Sequence, residues 1–194
     1  KDWNKIRMHL SRFYVKRCIG LPGDTLCIRG AFYEINGKRG YGNLQEQEAI
    51  ARFKGEYPQG IFHTIPFDPR IAWNIQNMGP LYIPRKGDKI HLDSMAYRLY
   101  RKMVEYESGL KLREQDGKIY AGDSLTEYYT FQTNWYFMGG DKMWNSQDSR
   151  YIGLIPEEFL IGKAILVLSS KDKDTGEYRW NRFFTRIRRE QNNL

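Results

Sequence analysis

The chain has 194 residues, of which 41% are hydrophobic and 15% aromatic, and this composition excludes a disordered polypeptide. No apolar run approaches the roughly 20 residues that span a bilayer, and no signal peptide opens the chain. The net charge of +8 makes nucleic acid and anionic membrane surfaces the partner classes to consider, although the basic residues are dispersed. The densest basic cluster, Arg186, Arg188 and Arg189, is either a solvated tail or a contact with anionic headgroups.

The first predicted strand runs from about Arg12 to Gly20 and carries one lysine, Lys16, in its middle. Val15, Cys18 and Ile19 are typical of a buried strand. A charged lysine in a dry strand is costly, and burial favours the neutral amine, which can accept a proton from a nucleophile. From the residue alone, the simpler interpretation is a lysine on the polar face of an edge strand.

A Pro22-Gly23 turn follows, and strands are predicted over residues 25–29 and 31–35, closed by the hairpin signal Asn36-Gly37. These strands are predicted to form a β-meander with the first one. Cys18 and Cys27 flank the Pro-Gly turn, where they either face each other across a hairpin or are two small buried thiols. Neither they nor the three isolated histidines have the spacing of a structural metal site, and no cofactor is indicated.

From about residue 39 to residue 127 the sequence predicts an insertion with mixed α and β structure. Its predicted helices cover residues 45–54, with Ala49, Ile50 and Phe53 on the apolar face, and residues 94–107, with Met95, Leu99, Met103 and Tyr106 on the apolar face. Its predicted strands cover residues 89–92 and 118–121.

The remaining sequence returns to strand composition over residues 128–138 and 162–169, and the second of these is predicted to be buried. Trp180 and Phe183-Phe184 are predicted to pack back onto the core. Between the two strands lies a polar loop rich in turn-forming residues, over residues 139–151. Such loops commonly carry binding and catalytic residues.

Two segments together resemble bacterial signal peptidase I, a membrane-bound serine endopeptidase family. The first, which we call the lysine segment, is Tyr14-Val15-Lys16-Arg17-Cys18-Ile19-Gly20-Leu21-Pro22-Gly23-Asp24. The second contains Gly140-Asp141, Asn145-Ser146-Gln147-Asp148-Ser149-Arg150-Tyr151 and Gly153, followed by Pro156 and Gly162-Lys163-Ala164. They stand in the order of the family and are separated by a variable insertion.

The resemblance implies that Lys16 is the general base of a Ser/Lys dyad that cleaves signal peptides from secreted proteins. Ser146 would hold the lysine amine in line with the nucleophile. Gly140, Asp141, Asp148, Arg150 and Arg17 would shape the wall behind the dyad, with Arg17–Asp141 and Asp148–Arg150 as ion pairs that orient it without transferring protons.

The resemblance also implies a mainly β fold, with an antiparallel-sheet catalytic core over residues 1–38 and 128–194 and an inserted smaller α+β lobe over residues 39–127. Its partners would be signal peptides of preproteins and a membrane surface, with an upstream transmembrane anchor and no nucleic acid. Its place would be the inner membrane of a bacterium, with the catalytic domain on the periplasmic face.

The sequence departs from the family pattern at two points. The nucleophile's Ser-Met-x-Pro pattern should lie well before Lys16, but only 15 residues precede that lysine, so we expect a C-terminal fragment that lacks nucleophile and anchor and is inactive. Ser94-Met95 lacks the proline, follows the lysine segment and is rejected as that nucleophile. Lys142-Met143 stands where the family usually has Asn-Arg, which leaves open a divergent or inactive paralogue.

Two alternatives come from other functional classes. One is a non-catalytic peptide-binding or scaffold homologue of the same fold, favoured by Lys142-Met143 and by the missing serine. The other is a basic nucleic-acid-binding β domain, favoured by the +8 charge and the 14 tyrosines. We rank the second lowest, because aromatic residues in a small β protein usually belong to the core.

Overall fold

A computed structural model of the protein describes residues 14–172 and 175–187 and confirms a mainly β, antiparallel fold. The strands are β1 Arg17–Gly20, β2 Thr25–Arg29, β3 Phe32–Ile35, β4 Asn77–Tyr82, β5 Lys89–His91, β6 Leu112–Gln115, β7 Lys118–Ala121, β8 Ser124–Leu125, β9 Tyr128–Thr130, β10 Trp135–Gly139, β11 Ile155–Pro156, β12 Leu166–Val167 and β13 Thr185–Arg186. The α-helices are α1 Leu44–Arg52, α2 Ser94–Ser108 and α3 Ser149–Ile152.

Strand β1 lies in a three-stranded sheet of order β1-β10-β11 and pairs antiparallel with β10. In this register Arg17 is opposite Gly139 and Cys18 is opposite Met138. The pairing joins the lysine segment to the polar loop, although the two are far apart in sequence.

Strands β2 and β3 form the predicted hairpin, but β4 rather than β1 completes their sheet, so the predicted meander is wrong. The turn before β2 explains the difference. Gly23 has φ +94° and donates its N–H to the Ile83 carbonyl at 2.7 Å. Ile83 in turn donates to the Asp24 carbonyl at 2.8 Å, so the backbone of this turn bonds to the chain beyond β4 and not to a hairpin partner.

The division into a core and an inserted lobe stays a prediction. Strand β4 lies inside the predicted insertion and pairs with β2 of the predicted core. The two cysteines are free. Cys27 is buried as predicted, whereas Cys18 is exposed, because β1 and β2 belong to different sheets.

Helices form where they are predicted, but their buried faces differ. The Asp93 side chain caps α2 by accepting from the Ala96 N–H, and Gly109 ends the helix at φ +71°. The face that enters the core carries Ala96, Tyr100, Met103 and Val104. Met95 and Tyr106 were predicted to be buried but are 52% and 47% exposed. Tyr100 can be buried because its hydroxyl donates to the Tyr82 carbonyl at 3.0 Å.

Helix α1 also differs from its predicted apolar face, since it buries a polar residue and exposes a predicted apolar one. Ala49 is exposed, while Gln47 is buried beside Ile50. The Gln47 amide accepts from the Tyr33 N–H at 3.0 Å and donates to the Tyr41 carbonyl at 2.7 Å. Backbone groups next to the helix are therefore satisfied by a side chain.

The predicted buried strand over residues 162–169 is wrong. Only Leu166–Val167 is a strand, and it pairs solely with β13 in a two-stranded ribbon. Ile165 and Leu168 are mostly exposed, because no layer of the described residues covers this ribbon. Trp180 was predicted to pack onto the core but stacks on Phe183, with ring centroids 4.8 Å apart, and is 72% exposed.

The predicted strand over residues 128–138 is interrupted between β9 and β10, and Glu107 at the end of α2 stabilises the segment between them. Its carboxylate accepts from the Tyr129 hydroxyl at 2.8 Å, the Gln132 N–H at 2.8 Å and the Trp135 Nε1–H at 2.8 Å. Trp135 is buried, so this bond satisfies a donor that water does not reach.

We expect Glu107→Ala to lower the free energy of unfolding by about 2 kcal/mol, because it leaves the Nε1–H of the buried Trp135 and the hydroxyl of the half-buried Tyr129 without this acceptor. Urea unfolding followed by tryptophan fluorescence measures this change. The matched control is Glu48→Ala on α1, whose carboxylate pairs with Arg52 at the surface and should matter by less than about 0.5 kcal/mol. Equal effects of the two substitutions would contradict this role of Glu107.

Candidate active site

Lys16 lies immediately before β1 and reaches the polar loop. Its Nζ donates to the Ser146 Oγ at 2.7 Å, across 130 residues of sequence. The lysine is half-buried, and its Nζ lies 5.8 Å from the centroid of the Tyr14 ring. The buried strand predicted around it is wrong in part, because Val15 is 75% exposed and only Ile19 of its apolar neighbours enters the core.

Ser146 is held against the backbone of Gly140. A Cβ atom at position 140 would lie 1.8 Å from the Ser146 Oγ and 2.5 Å from its Cβ, so any side chain there would displace the serine. The Gly140 N–H donates to the Asp148 Oδ2 at 2.9 Å. The absence of a side chain at Gly140 therefore leaves space for Ser146, and the backbone N–H of Gly140 connects this position to Asp148.

Asp148 and Arg150 form an ion pair in which both side chains are fully buried. Arg150 donates from Nε to the Asp148 Oδ1 at 2.9 Å and from Nη2 to the Asp148 Oδ2 at 2.7 Å. Burial lowers the pKa of Arg150, but the hydrogen bonds to Asp148 outweigh it and hold that pKa above its ordinary value. The Arg150 guanidinium therefore stays charged in the interior.

Asp148 also caps α3, and Arg150 also supports the loop. The Asp148 carboxylate accepts from the Arg150 N–H at 3.2 Å, and the Arg150 Nη2 donates to the Met143 carbonyl at 3.1 Å. The loop on both sides of Ser146 is thus bonded to one buried pair.

Arg17 and Asp141 form the second expected ion pair, at the surface. Arg17 donates to both carboxylate oxygens, at 2.9 and 3.0 Å. The backbone carbonyl of Asp141 accepts from the Asn43 Nδ2 at 3.3 Å, at the start of α1. This pair ties the first residue of β1 to the beginning of the polar loop.

Lys142-Met143 departs from the family pattern, and the structure explains the second of these residues, Met143. Met143 is buried in the core, and its polar contacts come from its backbone, whose N–H donates to the Glu46 carboxylate at 3.2 Å and whose carbonyl accepts from Arg150. Any residue supplies those backbone groups. Lys142 is exposed.

Two residues that sequence reasoning missed complete the site. The Ser149 Oγ accepts from the Met138 N–H at 2.9 Å and so joins α3 to β10. Tyr33 on β3 is buried with its ring against Phe137, and burial raises the pKa of its hydroxyl. Ser149 directly follows Asp148, the cap of α3, and this position in the sequence could have indicated its structural role. Nothing in a single sequence distinguishes Tyr33 from a core aromatic.

The structure brings together all seven residues that the sequence nominated: Lys16, Arg17, Gly140, Asp141, Ser146, Asp148 and Arg150. Within residues 14–172 and 175–187, no three His, Cys, Asp or Glu side chains gather as metal ligands. None of the helices in this part of the chain is long and apolar enough to cross a membrane.

Comparison with known proteins identifies one family. The family model described as "Signal peptidase, peptidase S26" matches residues 6–169. Proteins named Signal peptidase I are similar to this chain. The one from Buchnera aphidicola subsp. Acyrthosiphon pisum is 30% identical over 179 residues, which cover 85% of this chain and 51% of the relative. The one from Haemophilus influenzae is 28% identical over 182 residues, which cover 90% of this chain and 45% of the relative. The chain spans about half the length of the curated relatives it matches.

We expect Gly140→Ala to displace Ser146 and to break the hydrogen bond with Lys16, at a cost in stability of about 1–3 kcal/mol from overpacking. The Lys16 Nζ environment, followed by the NMR signal of its ε-carbon, should change together with the unfolding free energy.

The matched control is Gly162→Ala, since nothing lies within 4 Å of a Cβ built at that position. It should leave both measurements unchanged. An unchanged Lys16 signal in Gly140→Ala would show that Gly140 does not set the position of Ser146.

Proposed function

Because this chain belongs to the signal peptidase family, peptidase S26, we propose that it forms part of a serine endopeptidase that removes signal peptides from secreted proteins. The observation that carries the proposal is the contact between Lys16 Nζ and Ser146 Oγ at 2.7 Å. It supplies a lysine amine that is held in place by a hydroxyl and partly shielded from water. This is the arrangement that a lysine base requires.

In the proposed reaction, Lys16 acts as general base in its neutral form. It accepts the proton of a serine hydroxyl while that oxygen attacks the scissile carbonyl, and it returns the proton to the leaving amine as the peptide bond breaks. We propose that the nucleophilic serine lies in a part of the protein outside these 194 residues. These residues alone are then inactive.

The remaining residues of the site orient the base. Ser146 fixes the direction of the Lys16 amine, and Gly140 makes room for that serine. Asp148 and Arg150 hold the loop behind them through a buried pair. We assign these residues a positioning role, because a guanidinium that stays charged has no proton to give.

The substrate is proposed to bind as an added strand beside β1. Among the described strands, β1 has a neighbour on one side only, which is β10. We propose that an extended peptide bonds along the other side of β1, close to Lys16. We further propose that the whole protein is anchored by an upstream transmembrane segment in the inner membrane of a bacterium, with this domain on the periplasmic face.

In the longer protein, we expect Lys16→Ala to abolish signal-peptide cleavage by at least about a thousandfold, and Lys16→Arg not to restore it, because arginine does not deprotonate. Ser146→Ala should lower the rate by about 10–100-fold through misorientation of the base. Cleavage of a synthetic preprotein peptide, followed by mass spectrometry, measures all three.

Lys142→Ala is the matched control, because this lysine is exposed and lies four residues before Ser146; its activity should equal that of the parent. Cleavage that survives Lys16→Ala would reject the dyad. A covalent acyl group trapped on Ser146 would make Ser146 the nucleophile. Absence of cleavage by the unmodified longer protein, together with retained binding of the peptide, would favour the non-catalytic homologue.

A further inference from the structure

We propose that a cleft between α2 and the segment after α3 is a binding site for a single-chain anionic amphiphile, such as a fatty carboxylate. The cleft has a volume of about 590 Å³, which lies in the range of small-molecule sites. Neither Lys16 nor Ser146 lines it, so the proposal is independent of the dyad.

The cleft is apolar along its length and aromatic at one end. Leu81, Leu99, Met103 and Leu154 contribute to its lining. At the end near the C-terminus of α2, Tyr106 packs edge-to-face against both Trp135 and Phe159, with ring centroids 5.9 Å apart in each case. Phe159 is 60% exposed, although it belongs to this apolar surface. A hydrocarbon chain placed here would remove that surface from water.

The α2 wall of the cleft also carries basic residues. Arg101 and Lys102 line it from the middle of α2, and both are exposed. Lys102 has no ion-pair partner within the described part of the chain. Arg101 donates to the neutral Tyr97 hydroxyl at 3.3 Å and also interacts electrostatically with the Glu105 carboxylate. An anionic group would find here one lysine without a carboxylate partner and one exposed arginine.

Two further arginines that line the cleft already have carboxylate partners. Arg98 is paired with Asp68 and Glu114, each at 3.2 Å, and Arg70 is also paired with Asp68. The acid Glu158 accepts from the Tyr106 hydroxyl at 2.7 Å, at the aromatic end. The lining of the cleft therefore carries more positive than negative charge, because its four basic side chains, Arg70, Arg98, Arg101 and Lys102, stand against the single carboxylate of Asp68. This excess of positive charge favours a ligand with an anionic head.

Most of the backbone groups in the walls are bonded within the fold, and the strand edge in the lining is the two-residue β11, which is Ile155–Pro156. The backbone of α2 is bonded within the helix. Pro66 and Pro156 have no N–H, and the Ile65 N–H donates to the Arg150 carbonyl at 2.8 Å. An extended peptide would find only this short edge for its own N–H and C=O groups, whereas a fatty chain has none to satisfy.

Phe67 adds an independent sign of a ligand site. It lines the cleft, is 54% exposed and has φ +59°, in the left-handed region that bulky residues seldom adopt. Its N–H donates to the Thr64 carbonyl at 3.1 Å, which holds the turn. Backbone strain of this kind clusters at ligand clamps, and here it places an aromatic ring on the cleft surface.

The test is titration of the 194-residue chain with dodecanoate below its micelle concentration, followed by the methyl signal of Met103 in ¹³C-methionine NMR. Met103 lines the cleft, whereas the buried Met143 does not and serves as internal reference. We expect a saturable shift of Met103 alone. Dodecyltrimethylammonium, with the same tail and a cationic head, and butyrate, with the same head and no tail, should each bind at least about tenfold more weakly.

Two sets of variants locate the site. Arg101→Glu with Lys102→Glu should weaken dodecanoate binding at least about tenfold, while the control pair Lys86→Glu with Lys118→Glu makes the same change in net charge at exposed positions outside the cleft. Leu99→Trp should fill the cleft and block binding, while Leu110→Trp adds the same ring outside it. Circular dichroism checks that each variant is folded.

Three results would overturn the proposal. They are equal binding of the cationic and anionic probes, unchanged affinity in the Arg101/Lys102 variant, and a Met103 shift that persists in a folded Leu99→Trp protein. Failure of the dyad experiments would leave this result unaffected, because the readout here is binding and not cleavage.

Discussion

The buried pair of Asp148 and Arg150 is the interaction on which the rest of the site depends. Neither charge is stable in the interior without the other, and removing one partner of such a pair usually costs about 3–5 kcal/mol. The pair bonds to the Gly140 N–H and to the Met143 carbonyl, and the Arg150 carbonyl accepts from Ile65. One buried electrostatic contact therefore connects the end of β10, the turn before Ser146 and the wall of the cleft beside α2.

This arrangement explains how two segments far apart in sequence form one site. The pairing of β1 with β10 positions Lys16 along the sheet. The surface ion pair between Arg17 and Asp141 orients the start of β1 relative to the polar loop. Backbone groups on both sides of Ser146 bond to buried side chains, which hold the loop in place. The proposed base would gain from such a frame, since misplacement by about 1 Å is costly to catalysis.

Local signals predicted local structure well. The Pro22-Gly23 turn, the cap of α2 at Asp93 and its end at Gly109 all follow from the chemistry of single residues. The wrong predictions concern which elements pack over one another and so which side chains are buried. The strand expected over residues 162–169 has the composition of a core strand but is only two residues long in the structure, and composition does not say which layer lies above it. The nominated site residues came from a resemblance. Glu107 and Tyr33 lie in unremarkable sequence, and only their three-dimensional neighbours reveal them.

The contact between Gly140 and Ser146 has a consequence for how this protein can change over evolutionary time. The serine oxygen occupies the space in which a side chain at position 140 would stand. A lineage that replaces the serine by a smaller residue gains room at position 140, while a lineage that keeps the serine is held to glycine. The two positions should therefore covary among homologues. A homologue with glycine at 140 and a residue without a hydroxyl at 146 would be an evolutionary intermediate, in which a side chain at position 140 is no longer excluded but has not yet been acquired.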